Sequence, residues 1–236
     1  MQKGIGIFEV CFRSKFAYYM AQSEPNGQFL YLQQNSYNDK VSKDEQPEDL
    51  LIKINNEIVR AISKRVISFG METRKGNFSN IGSWLERANY KFVRHYQKTD
   101  EDISVLMAIE MLSFNTVSRM YSRWTNREIN KKISSDFNLF KDYGCSIQVV
   151  RSLVILRNMC AHYERIWNRR LVIDKVIDKE YLQKFGSSSK MSQWRPISVL
   201  MSLVDEINKN KKFSQDVLNL CKQNEEFYKG LVEPTL

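Results

Sequence analysis

At 236 residues, 42% hydrophobic and 27% charged, the chain is ordinary for a soluble globular protein with a core of useful size, and its formal charge is +9. No apolar run approaches the roughly 18 residues of a membrane span, and MQKGIGIFEVCFRSKF has no long apolar stretch followed by a small-residue cleavage site. No membrane partner and no secretion signal are therefore expected, and the location expected is cytoplasmic.

In chain order, Phe8, Phe12, Phe16 and Tyr19 repeat at helical spacing. Ser23 to Gly27 (SEPNG) forms a turn, and Asp39 to Pro47 (DKVSKDEQP) is polar and loop-like. Helices are predicted over Glu48 to Phe69, Ser79 to Tyr96, Asp102 to Trp124, Asn126 to Phe140 and Ile147 to Asn168. Leu171 to Ile177 (LVIDKVI) is ambiguous between helix and strand, and Gly186 to Lys190 (GSSSK) is a flexible break. Pro196 opens a helix to about Asn208, and Ser214 caps the last one. With 9 glycines, 4 prolines and no sustained alternation, the economical reading is a single all-α domain over residues 1–236, with the 147–168 helix central.

Four scattered cysteines, Cys11, Cys145, Cys160 and Cys221, form no CxxC pair and read as reduced thiols. Only His95 and His162 are present, neither beside a metal-spaced cysteine pair, so no metal and no cofactor are expected. The positive charge is concentrated. From Val117 to Arg170, eleven basic residues stand against Glu128, Asp136, Asp142 and Glu164, a net +7. Such a block attracts polyanions, nucleic acid above all. On charge alone, a solvated basic face with no partner explains it equally well.

The richest segment is Arg151 to Arg170, RSLVILRNMCAHYERIWNRR. On a helix, Val149, Leu153, Leu156, Cys160, Tyr163 and Trp167 form one stripe, predicted to be buried. Arg151, Ile155, Asn158, His162, Arg165 and Arg169 form a second, largely polar and basic stripe. A lone histidine is usually structural, but phosphate-binding groups flank His162 within one turn. Arg157 points roughly 140° away from His162 on an ideal helix. It reaches the same site only by curling along the helix or across an interface; otherwise it pairs with a carboxylate. Glu110, the one charge on the seam Ile103, Met107, Glu110, Phe114, Val117, Tyr121, Trp124, is the candidate, with Arg157 or Arg13 as its first partner. The alternative is a Glu110 that merely emerges at the edge of the stripe.

Arg157-Asn158-Met159-Cys160-Ala161-His162 resembles the R-x4-H motif of HEPN domains, and LRNMCAHYERIWNR closely resembles the hallmark of AbiD/AbiF-like abortive-infection (Abi) proteins. Ala108 to Tyr121 is similar to that family's helix before the motif, Phe92 to Tyr96 (FVRHY) to its His-Tyr element, and Glu9 to Arg13 (EVCFR) to its E-x-x-x-R helix. Members commonly carry a further stretch before that helix, so this chain reads as a shortened variant or an incomplete gene product. The resemblance implies an all-helical HEPN-like bundle with additional helices, usually dimeric, with metal-independent endoribonuclease activity used in phage defence or as a toxin. Carried over residue by residue, it makes Arg157, Asn158 and His162 the catalytic centre, with support from Glu110, Arg13, Glu9, His95, Arg165 and Asn168. RNA contacts then fall to Arg151, Arg165, Arg169, Arg170, Arg119 and Arg123. Metal-free cleavage turns the ribose 2′-hydroxyl on the adjacent phosphate and needs a base, an acid and a cation. One imidazole cannot be base and acid at once, so a homodimer with the two motif helices near its two-fold axis is expected, using Tyr163 and Trp167 as apolar contacts. A neutralising or regulatory RNA or protein is a further expected partner. The rival function is a non-cleaving module that holds a regulatory or guide-like RNA.

Overall fold

The computed structural model describes residues 1–38, 46–68, 103–137, 143–170, 184–186, 188–189 and 191–235. Within them every regular element is helical: α1 (Gln2–Ala21), α2 (Pro47–Ser68), α3 (Val105–Met111), α4 (Phe114–Arg123), α5 (Arg127–Asp136), α6 (Tyr143–Ala161), α7 (Trp194–Asn208), α8 (Lys212–Lys222) and α9 (Glu225–Val232), with short 3-10 turns at Gly27–Leu32 and Gln34–Ser36. The all-α class therefore holds. The helix expected over 79–96 and the ambiguous 171–177 lie outside the described residues. Two compact units result, Met1–Phe16 with Asn126–Leu236, and Ala17–Thr125.

In the first unit the N-terminal part of α1 buries Phe8, Phe12 and Phe16 of the predicted stripe, together with Ile5. Phe137, just past α5, meets two of these rings, at 5.4 Å from Phe8 and 6.4 Å from Phe12 between centroids. Each aromatic ring withdrawn from water in this way contributes about 2 kcal/mol. Gly4 sits against the Phe213 ring so closely that a Cβ there would lie 2.2 Å from it. α6 packs on α5 and α7, α7 on α8, and α8 on α9. The most deeply buried helix is α7, not the motif helix. Trp194, Ile197, Val199, Leu200, Met201, Leu203 and Val204 are all buried, which covers every side of it. Ser214 is no cap: it is buried inside α8, where its N–H donates to Asp205 Oδ1 at 3.1 Å. The final helix, α9, is capped instead by Asn224, whose side chain accepts from Phe227 N–H at 2.9 Å.

In the second unit α2 packs on α3 and α4, and Pro47 opens α2 as the first helical residue, where a missing N–H costs nothing. The predicted helix 102–124 is broken. Leu112 is extended and Ser113 caps α4 by accepting from Thr116 N–H. Glu57 of α2 holds this break, accepting from Ser113 N–H at 2.7 Å, Ser113 Oγ at 3.0 Å and Thr116 Oγ1 at 2.8 Å. The turn at SEPNG ends on Gly27, where a Cβ would lie 2.2 Å from the Met20 carbonyl. A chain of tyrosines closes the unit: Tyr37 Oη donates to the Tyr31 carbonyl at 2.7 Å, and Tyr31 Oη to the Ile103 carbonyl at 2.6 Å.

Burial, and then the neighbouring Tyr31, push the Tyr37 hydroxyl well above its ordinary range. A group whose pKa is raised by folding stabilises the protein below its unfolded pKa, and that stability is lost as pH rises through it. Tyr37→Phe should therefore cost about 1–2 kcal/mol near neutrality through the lost hydrogen bond. Denaturant melts at increasing pH should show wild type losing this advantage above roughly pH 10.

Candidate functional site

Of the stripe predicted to be buried on α6, Val149, Leu153 and Leu156 are buried and Cys160 is half-buried, and burial extends beyond it to Val150 and Val154. Met159 is also buried, whereas Arg151, Arg157 and His162 are exposed and Asn158 is half-buried. Beyond Cys160 the reading of a helix to Asn168 is corrected. The helix ends at Ala161, and the chain leaves it through a left-handed residue, Tyr163, at φ +54°. Tyr163 N–H donates to the Cys160 carbonyl at 3.4 Å and Glu164 N–H to the Met159 carbonyl at 2.8 Å. This pair of reversed bonds satisfies the last carbonyls of the helix and makes His162 its closing residue. Tyr163 and Trp167 thus leave the buried stripe and are 94% and 37% exposed. Half-burial raises the Cys160 thiol, mainly by desolvation, which disfavours a thiolate there.

Arg157 finds a carboxylate, but it is Glu9 and not Glu110. Its Nε lies 3.9 Å from Glu9 Oε2, while Glu9 Oε1 pairs with Arg13 one turn along α1. Arg157 Nη1 also reaches Asn158 Oδ1 at 3.5 Å. Glu9 and Arg13 keep only 16% and 15% of their side-chain surface, and Arg157 keeps 45%. The arginine is therefore held at Nε by Glu9 and at Nη1 by Asn158 while nearly half of its side chain stays open to solvent. Glu110 is exposed on α3, because the break at Leu112 takes it off the continuous seam that the sequence suggested.

The chain after His162 is fastened at its far end. Trp167 Nε1 donates to the Glu226 carbonyl at 3.2 Å, and its ring leaves no space for a Cβ on Gly230, which would sit 2.1 Å away. Asn168, left-handed at φ +48°, donates its N–H to the Gly230 carbonyl at 3.1 Å and accepts from Thr235 N–H at 2.7 Å. Gly230 and Thr235 carry no motif and lie more than sixty residues away in sequence, so sequence reading missed both. Arg165, Arg169 and Arg170 are exposed, Arg169 paired with Glu164. Arg119 is half-buried, and Arg123 is buried on the inner face of α4, which removes it from the expected RNA contacts. His95 lies outside the described residues.

The Abi-like protein family model matches residues 1–168, from the first turn of α1 to Asn168. The chain belongs to the Abi-like protein family. No curated protein and no solved structure matches it. Membership brings abortive infection, a form of phage defence, as the broad role of this Abi-like chain. The matched part holds Glu9, Arg13, Arg157, Asn158 and His162; α7 to α9 follow it, and α9 with the chain just beyond it fastens the segment after the motif. Among the described residues no helix is long and apolar enough to cross a membrane.

Glu9 is the one carboxylate between two guanidinium groups. Glu9→Gln should destabilise the Abi-like protein by about 1–2 kcal/mol in chemical denaturation, because the shielded charge-assisted contact of Glu9 with Arg13 and its ion pair with Arg157 are lost. The same change at fully exposed Glu128, paired with Lys131, should lie within error.

Proposed function

We propose that this Abi-like protein is a metal-independent endoribonuclease of the HEPN type, with Arg157, Asn158 and His162 as its reaction centre. The observation that carries this reading is that one helix presents two of these groups to solvent, an exposed His162 at the end of α6 and an Arg157 anchored by Glu9 and still nearly half exposed. RNA cleavage without metal needs a proton acceptor for the ribose 2′-hydroxyl, a donor for the departing 5′-oxygen and a cation for the charge that builds on the phosphate. In this scheme His162 moves a proton. Arg157, oriented by Glu9 and Arg13, presents its exposed part to a phosphate oxygen. Asn158 orients the phosphate beside it. Arg151, Arg165, Arg169 and Arg170 supply the field that draws in RNA. The 2′-oxygen forms a bond to phosphorus as the bond to the 5′-oxygen breaks, leaving a 2′,3′-cyclic phosphate and a 5′-hydroxyl.

His162 cannot act as acid and base in one step, so the active unit in this proposal is a homodimer whose two-fold axis brings a second His162 to the cleft. Catalysis by one positioned acid or base contributes about 10²- to 10⁴-fold.

Purified protein incubated with single-stranded RNA in EDTA should yield products ending in 2′,3′-cyclic phosphate, and His162→Ala should lower the rate by at least about 10²-fold while RNA binding persists. RNA binding without cleavage in either protein would instead support a non-cleaving RNA-binding module. Cleavage by His162→Ala at the wild-type rate would remove the proposed centre.

A further inference from the structure

Tyr163 is built against ordinary packing preferences. A bulky residue at φ +54° occupies the position where helices usually place glycine, and its ring is 94% exposed, so no burial offsets the unfavourable backbone. The helix-ending hydrogen bonds account for the left-handed turn, but nothing packs on the ring it carries, and a bulky residue kept there in place of glycine points to use of that ring by a ligand. The backbone under the ring is also fixed on both sides. The Met159–Glu164 and Cys160–Tyr163 bonds hold it to α6, and Trp167 and Asn168 hold the following turn to α9. Around it in sequence stand exposed His162, Arg165, Arg169 and Arg170. A solvated aromatic ring on a fixed backbone, with cations close to it in sequence, matches a nucleobase, whose face stacks on the ring while its phosphates meet the arginines.

Resting on the ribonuclease reading above, we propose that Tyr163 is a stacking platform for an unpaired RNA base next to the scissile phosphate. Its class of ligand is single-stranded RNA, because a base inside a duplex already has both faces covered.

The test uses a single-stranded oligoribonucleotide with 2′-O-methyl riboses, which cannot be cleaved by the proposed route, carrying 2-aminopurine as the fluorescent base. Wild type should bind it and quench the fluorophore, and a duplex of the same sequence should bind more weakly. Tyr163→Phe should keep both signals. Tyr163→Gly, whose backbone suits the left-handed turn, should keep or raise the melting temperature, lose the quench and weaken binding about tenfold, within the range for one aromatic stack. Unchanged affinity and quench in Tyr163→Gly would overturn this inference while leaving the ribonuclease reading intact. A changed oligomeric state with unchanged affinity per protomer would likewise overturn it, by assigning the ring to a protein contact. No RNA binding or cleavage by wild type would bring down both readings together.

Discussion

The Glu9 carboxylate, shared between Arg13 on its own helix and Arg157 on α6, is the contact around which the candidate site is organised. A carboxylate with little exposed surface needs cationic or hydrogen-bonding partners, and here both are arginines, whose planar forks hold a fixed direction where a lysine would not. Behind it, Phe8 and Phe12 lock the rotation of α1 against Phe137. The polar side of α1 therefore has one orientation, and Glu9 meets α6 at Arg157. The first helix thus takes part in the site as well as in the core: without it Arg157 would be an unanchored surface side chain with several rotamers to lose on meeting a phosphate.

A second constraint acts at the other end of the motif. By ending at Ala161, α6 releases His162 from any packed stripe and hands the chain to a turn bounded by two left-handed residues, Tyr163 and Asn168. Asparagine tolerates that conformation and tyrosine does so reluctantly. The turn is held by contacts to Glu226, Gly230 and Thr235, which lie after the part of the chain that the Abi-like family model matches. The last helix, α9, and Thr235 beyond it therefore fix the direction in which the motif leaves its helix.

Much of this was legible in the residues, and the failures share a physical cause. The phenylalanine stripe of α1, a helix beginning near residue 48 and the apolar face of α6 through Leu156 follow from local periodicity, and the structure keeps them. The end of α6 was not legible, because no glycine or proline marks it and its apolar pattern continues to Trp167. The break at Ser113 depends on Glu57, and the fastening of Asn168 on Thr235, partners 56 and 67 residues away. Glu110 stands out in the sequence because its seam reads as continuous; once Leu112 interrupts the helix, that register no longer holds. Arg123 was counted with the exposed cations because charge does not reveal which side of a short helix is turned inward. Periodicity reads the face a helix buries, while the ends of helices and the partners of charges are decided by tertiary contacts. The motif residues themselves were recognisable because their spacing is local.

The central claim is that Arg157 and His162 serve one phosphate. A crystal structure of the protein with an uncleavable 2′-O-methyl RNA tests it most directly. The account predicts one backbone phosphate within hydrogen-bonding distance, about 3 Å, of an Arg157 guanidinium and of a His162 imidazole, supplied by one protomer or by two. A bound RNA whose phosphates lie on another surface, with Arg157 still on Glu9 and His162 in open solvent, would contradict it.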